Sequence, residues 1–201
     1  MRPTLSIRGF HIYKTALDIG AQRQLVDAVR GIVKAAPLMR PQTPSGRQMS
    51  VRMTSAGRVG WTATASGYQY ATRHPSGVAW PAIPRKILDV WSSVTCDAPL
   101  PDSCLINFYD EAARMGLHRD HDEADFQWPV VSISLGDEGL LRVGGLERGG
   151  TTESIWLQSG DVVVMGGQAR LAYHGIDRIK GGSSRLLPNG GRLNLTLRVA
   201  T

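Results

Sequence analysis

After Pro99 the chain breaks into short β-forming runs separated by glycine-rich turns, and this texture restricts the fold more than any other feature of the 201 residues. The runs fall at residues 103–109, 115–118, 130–135, 140–143, 153–157, 161–165, 172–176 and 192–199. Short strands at this spacing predict an antiparallel sandwich or jelly roll. The βαβ alternation of a parallel sheet is absent, as are a GxGxxG turn and a Walker loop. Upstream, Leu25, Val26, Val29, Ile32 and Val33 recur at helical spacing until Pro37 stops them, which predicts a helix over residues 21–36 lying across a sheet. Pro84 opens a second apolar-faced helix that runs to about Thr95. A strand-like run over residues 6–13 is broken at Gly9. The fold class expected is therefore mainly β with flanking helices.

Residues 37–81 differ in kind, being rich in Pro, Gly, Ser, Thr and Arg with Trp61, Tyr68, Tyr70 and Trp80 scattered among them. Residues 49–62 read as a hairpin turning at Ser55-Ala56-Gly57. The aromatics suit a base-stacking surface, and equally suit anchors that pin a long loop to a core. Hydrophobic residues at 42% and charged residues at 20% describe an ordinary globular domain. No apolar run approaches the roughly 20 residues that span a bilayer, so no membrane partner is expected. The N-terminal stretch lacks a signal-peptide core, and a cytoplasmic protein is expected. Cys96 and Cys104 are the only cysteines, and their spacing suggests reduced, partly buried thiols and excludes a thiolate metal site. A net charge of +6, mostly from arginine, is consistent with a phosphate-bearing partner without requiring one.

The chemistry centres on residues 107–122, NFYDEAARMGLHRDHD. His118 and Asp120 lie two apart, so on an extended segment their side chains share a face. A surface ion pair would show the same spacing. With His174, in Leu171-Ala172-Tyr173-His174-Gly175, the pair makes a two-His, one-carboxylate set of the kind that holds Fe(II) with open positions for a substrate and dioxygen. Near the C-terminus Arg192, Asn194, Thr196 and Arg198 alternate strictly with leucines and Val199. That pattern fits a strand with one face in water. It also fits polar groups converging on a pocket, where a 2-oxoacid with a distal carboxylate would need a guanidinium fork.

Taken together, His118-x-Asp120, His174 and Arg192-x-Asn194-x-Thr196-x-Arg198 resemble the AlkB family of Fe(II)- and 2-oxoglutarate-dependent oxygenases, which remove alkyl groups from nucleic-acid bases. The similarity extends through CLINFY, LHRDHDE, VVSISLG, GGL, GDVVVMGG and RLAYHGI, and upstream through MSVRMT, GW and GYQY. It covers roughly residues 45–200.

The resemblance implies a double-stranded β-helix over residues 99–201, preceded at 1–98 by a helical extension and a nucleotide-recognition lid. It makes His118, Asp120 and His174 the iron ligands. Arg192 would pair with the distal carboxylate of 2-oxoglutarate, assisted by Asn107, Tyr109 and Asn194, with Arg198 near the co-substrate's chelating end. Trp61 and His118 would sandwich the damaged base, Tyr68 would touch the nucleotide backbone, and Asp122 would meet the exocyclic amine. Met53 and Arg148 complete the substrate-facing set. The cofactors implied are Fe(II), 2-oxoglutarate and O2. The substrates implied are 1-methyladenine and 3-methylcytosine in single-stranded or duplex DNA, with RNA left open, and the protein is expected to act as a monomer. Met165 and Ala172 stand where relatives carry bulkier aromatics, His121 stands where a Lys is usual, and the loop at 148–153 differs. The rival readings are a hydroxylase of protein or small-molecule substrates and a non-catalytic nucleic-acid-binding sandwich.

Overall fold

The computed structural model describes residues 1–43, 45–64 and 67–201. Its core is a pair of antiparallel sheets built from the strands β6 (Ser103–Tyr109), β7 (Met115–His118), β8 (Val130–Gly136), β9 (Glu138–Val143), β10 (Glu153–Leu157), β11 (Val162–Met165), β12 (His174–Lys180) and β13 (Arg192–Arg198). Upstream lie β1 (Leu5–Ile7), β2 (Phe10–Tyr13), β3 (Arg52–Gly57), β4 (Gly60–Thr64) and β5 (Gly67–Ala71), with the helices α1 (Ile19–Ala35) and α2 (Arg85–Val94). The larger sheet runs β1-β2-β11-β8-β13-β6-β3 and the smaller β10-β9-β12-β7. Successive core strands therefore cross between the sheets except for β9 and β10, which pair as a hairpin within the smaller one, and this is the winding of a jelly roll.

The first 98 residues supply three strands to the larger sheet. β1 and β2 form a tight hairpin at one edge. Its turn places Arg8 at φ 47° and Gly9 at φ 83°, the two left-handed positions that match the twist of the flanking strands. β3 forms the other edge, against β6.

Here the expected hairpin over 49–62 is corrected. Ser55 and Ala56 are fully buried within β3, paired to Leu105 and Cys104, and the chain turns only afterwards. β4 pairs instead with β5 as a separate two-stranded sheet.

α1 begins at Asp18, whose carboxylate accepts from the Ala21 amide. Its stripe of Leu25, Val26, Val29 and Ile32 packs with Ile87, Val90 and Trp91 of α2 over the outer face of the larger sheet. Burying each such side chain contributes roughly 1.5–3 kcal/mol. Leu193, Leu195 and Leu197 of β13 point into this layer. The alternate residues Arg192, Asn194, Thr196 and Arg198 are buried too, on the face turned towards the smaller sheet. The tail strand thus has no face in water, and its polar side chains must find partners inside the jelly roll. Cys104 is buried and Cys96 exposed, both as free thiols. Among the described residues no helix is long and apolar enough to cross a membrane.

Candidate active site

Antiparallel pairing of β7 with β12 sets His118 directly opposite His174. Their rings lie 4.7 Å apart between centroids, and His118 Nε2 is 3.8 Å from Asp120 Oδ1. The ligand atoms of all three side chains fall within 4.8 Å of one another, so a single ion can contact all of them. Each imidazole is oriented from behind. His118 Nδ1 donates to the Gly116 carbonyl at 2.9 Å, and His174 Nδ1 to the Ala172 carbonyl at 3.0 Å. A carbonyl can only accept, so the proton sits on Nδ1 and the Nε2 lone pair is left for a metal. Burial, with His118 beside it, pushes His174 down to about 4, which keeps it neutral at ordinary pH.

Asp120 is nine-tenths buried. Burial alone would raise its carboxyl, but the Arg198 guanidinium and then the two imidazoles outweigh it and hold the group well below the usual carboxylate range. Arg198 donates Nη2 to Asp120 Oδ2 at 2.7 Å and lies 3.0 Å through Nε from Glu123 Oε1. Arg170 completes this cluster through Glu123 Oε2 at 3.1 Å and the Asp120 carbonyl at 2.8 Å. Sequence reasoning gave no role to Glu123 or Arg170. Their signal was present in LHRDHDE and RLAYHGI, but a buried ion pair 47 residues apart leaves no local pattern.

The triad opens onto a cavity of about 520 Å3, the size of a small-molecule or single-base site. Met53, Asn107, Tyr109, Asn194 and Arg198 line its depth, and Trp61, Tyr68, Asp122 and Arg148 its mouth. Trp61 stacks on Tyr68 with centroids 5.1 Å apart and donates Nε1 to Asp122 Oδ2 at 2.9 Å. Tyr70, its cross-strand neighbour, donates its hydroxyl to Glu123 Oε1 at 2.8 Å. An isolated two-stranded sheet is marginal in water, and these bonds are what seat the β4–β5 hairpin over the cavity. Arg148 is exposed, as is the flanking Leu146. Met165 lines the cavity, whereas Ala172 is buried outside its lining.

Arg192 stands apart from the other polar residues of β13. It is completely buried and does not line the open cavity, lying instead beside Tyr109. Nη2 donates to Ser134 Oγ at 2.8 Å, while Nε and Nη1 have no partner among the described residues. Across the interior, Gly139 of β9 makes room for this side chain, since a Cβ there would stand 2.8 Å from Arg192 Nε. Burial pushes the guanidinium down to about 10 and the Tyr109 phenol up to about 12. Asn107 Oδ1 is also buried without a partner, whereas Asn194 is bonded to Ser132 and Thr196.

Residues 9–198 match the family model described as the 2OG-Fe(II) oxygenase superfamily. The alpha-ketoglutarate-dependent dioxygenase AlkB homolog of Caulobacter vibrioides is 50% identical over 200 residues, covering 99% of this chain and 91% of that protein. The chain belongs to the AlkB family. The alpha-ketoglutarate-dependent dioxygenase AlkB of Escherichia coli is 39% identical over 185 residues, 90% of this chain and 85% of its own. The solved structure of OsALKBH1 superposes with a TM-score of 0.80 at 27% identity, covering 97% of this chain and 98% of that one.

The AlkB family uses Fe(II), 2-oxoglutarate and O2, and the residues present fit these groups. Two imidazoles whose Nδ1 atoms face backbone carbonyls, with one carboxylate, make a donor set suited to Fe(II). A buried guanidinium with unpartnered Nε and Nη1 fits a carboxylate brought in from outside.

Proposed function

We propose that this protein oxidatively demethylates N-alkylated bases, 1-methyladenine and 3-methylcytosine foremost, and so reverses alkylation damage in DNA. Membership of the AlkB family and the one-ion geometry of His118, Asp120 and His174 support the chemistry. The observation that carries the substrate class is the cavity mouth, where an indole, a phenol and a carboxylate surround a space open to the triad. Bound iron with 2-oxoglutarate and O2 supplies hydroxylation of the N-methyl carbon, with succinate and CO2 as by-products. The resulting hydroxymethyl group leaves as formaldehyde, and the base nitrogen regains its lone pair.

The protein's residues bind and orient. His118, Asp120 and His174 hold the iron. Arg192 receives the distal carboxylate of 2-oxoglutarate with Asn107, Tyr109 and Asn194 around it, and Arg198 stands near the chelating end. A base within a duplex is out of reach, so the nucleotide must be unpaired or flipped. Methylation at adenine N1 or cytosine N3 leaves a cation with a blocked pairing edge, which is easier to extrude. Stacking of that cation on Trp61 gains about 0.5–2 kcal/mol. His118 covers the base's other face. Asp122 accepts from the exocyclic amine, Tyr68 and Arg148 meet the backbone, and Met53 packs beneath. Residues 1–98 serve as the helical extension and nucleotide-recognition lid, and 99–201 form the catalytic core. A monomer in the cytoplasm suffices for this chemistry. The protein-hydroxylase alternative has no observation in its favour.

The test is mass spectrometry of methylated oligonucleotides incubated with Fe(II) and 2-oxoglutarate. Repair of cationic lesions ahead of neutral ones is expected, with the gap narrowed in Asp122→Ala. Ala at 118, 120 or 174 should abolish turnover and Mn(II) binding. Absence of repair on every methylated oligonucleotide would reject the substrate class.

A further inference from the structure

Two neighbouring carboxylates on the iron-proximal loop anchor the hairpin that covers the cavity. Trp61 and Tyr70 face each other across β4 and β5, and they donate to Asp122 and Glu123 respectively. Only the second anchor continues inward. Glu123 Oε1 accepts the Tyr70 hydroxyl at 2.8 Å and faces Arg198 Nε at 3.0 Å. Arg198 Nη2 then holds Asp120 Oδ2 at 2.7 Å, leaving Oδ1 as the oxygen turned towards His118. Arg170 grips Glu123 Oε2 and the Asp120 carbonyl together, which prevents the loop from relaxing at either end. The Glu123, Arg170 and Arg198 side chains are all more than nine-tenths buried, so water is a poor substitute for any of them.

We propose that Glu123 is a positioning residue that fixes which oxygen Asp120 offers to iron and ties that choice to the seating of the β4–β5 hairpin. Glu123 borders the cavity with a side chain that is almost fully buried and stands outside the His118, Asp120 and His174 cluster; it acts through Arg198. Arg198 already donates both Nη2 and Nε to Asp120 Oδ2, at 2.7 and 3.3 Å, and without Glu123 the guanidinium loses its other anionic partner and is free to shift from Oδ2 towards Oδ1, the oxygen that should coordinate. Without the Tyr70 hydroxyl, Glu123 Oε1 is left to Arg198 alone, and hairpin position no longer reaches the metal ligand. Partners that orient a ligand in this way typically change metal affinity by about 10–100-fold when removed.

The inference rests on the reading of His118, Asp120 and His174 as an iron site but not on the nucleic-acid substrate. It is tested with the full chain, 2-oxoglutarate and Mn(II), without nucleic acid. Mn(II) affinity is read by calorimetry and the metal environment by electron paramagnetic resonance. Glu123→Gln should weaken Mn(II) at least about tenfold and alter the Mn(II) spectrum. Tyr70→Phe, which removes one hydroxyl and remains testable should Glu123→Gln fail to fold, should weaken it in the same direction by a smaller factor. Wild-type Mn(II) affinity and spectrum in Tyr70→Phe would overturn the inference alone. A wild type that binds no Mn(II) would overturn the iron reading and this inference with it.

Discussion

Two arginines on one face of β13, six residues apart, meet opposite fates. Arg198 sits between Asp120 and Glu123 and is pushed upward: burial lowers it, but the two carboxylates and Tyr70 more than offset that. Arg192 is equally buried, forms no ion pair among the described residues, and is pushed down to about 10. A buried cation with internal counter-ions is part of the folded structure's own charge balance. One without them is a cost that the fold tolerates until an anion arrives. The two arginines therefore divide the interior into a finished end, beside His118, Asp120 and His174, and an unfinished end, which under the proposed function the distal carboxylate of 2-oxoglutarate would complete.

The sharpest way to break this contrast is to remove each guanidinium and measure stability without ligands. Arg198→Met leaves Asp120 and Glu123 buried with a partner missing, and should cost about 3–5 kcal/mol in urea denaturation. Arg192→Met removes a charge that nothing internal satisfies, so it should cost nothing or stabilise by about 1 kcal/mol. Equal losses in the two variants would erase the distinction.

The next effect is on the co-substrate. Wild type in Mn(II) and a hundredfold excess of 2-oxoglutarate over its Kd should gain about 2.7 kcal/mol of stability. Arg192→Lys keeps the charge and loses the fork, and should weaken 2-oxoglutarate at least about tenfold in calorimetry. An unchanged Kd would reassign the distal-carboxylate site.

The smallest effect sharpens the comparison with a pair near the surface. Asp102 accepts from the amides of Ala200 and Thr201, just past Arg198, and from the exposed Arg58. Burial pushes its carboxyl up, but the hydrogen bonds from Thr201, Ala200 and Arg58 prevail and lower it. A lowered carboxylate stabilises the fold above its unfolded value of about 3.9, and that contribution disappears as pH falls below it. Asp102→Asn should therefore lower stability near pH 7 by no more than about 1 kcal/mol, and that loss should fade as pH falls well below about 3.9, which flattens the acid limb of the stability profile. Chemical denaturation between pH 2.5 and pH 7 (a span chosen to bracket about 3.9) reads this directly.

The jelly roll was legible in the sequence because each core strand carries its own alternation and its own turn, both local properties. That His118 and Asp120 lie together was legible from their two-residue spacing, although Asp120 falls just past the end of β7, and His174 joins them through the pairing of β12 with β7. What escaped were pairings decided at a distance. Ser55-Ala56-Gly57 has turn composition, yet its strand partner is Leu105-Cys104-Ser103, and burial against β6 overrides the local preference. Glu123 and Arg170 look like ordinary surface charges until folding brings them together. The polar face of β13 was ambiguous by nature, because alternation says that two faces differ and not that one of them is wet. The α-helical layer over its leucines settles which case applies.

Gly139 has no side chain to donate, accept or coordinate, and it lies on the sheet opposite Arg192. Its contribution is emptiness. A single methyl group there would press on Arg192 Nε and Cδ, at 2.8 and 3.0 Å, and tilt the fork away from the direction in which it waits. Alanine at 139 should thus read in a binding assay as damage to Arg192, fifty-three residues away in sequence. Anyone seeking inactive alleles of this protein among apparently conservative changes would do well to look at a position whose whole role is to stay out of the way.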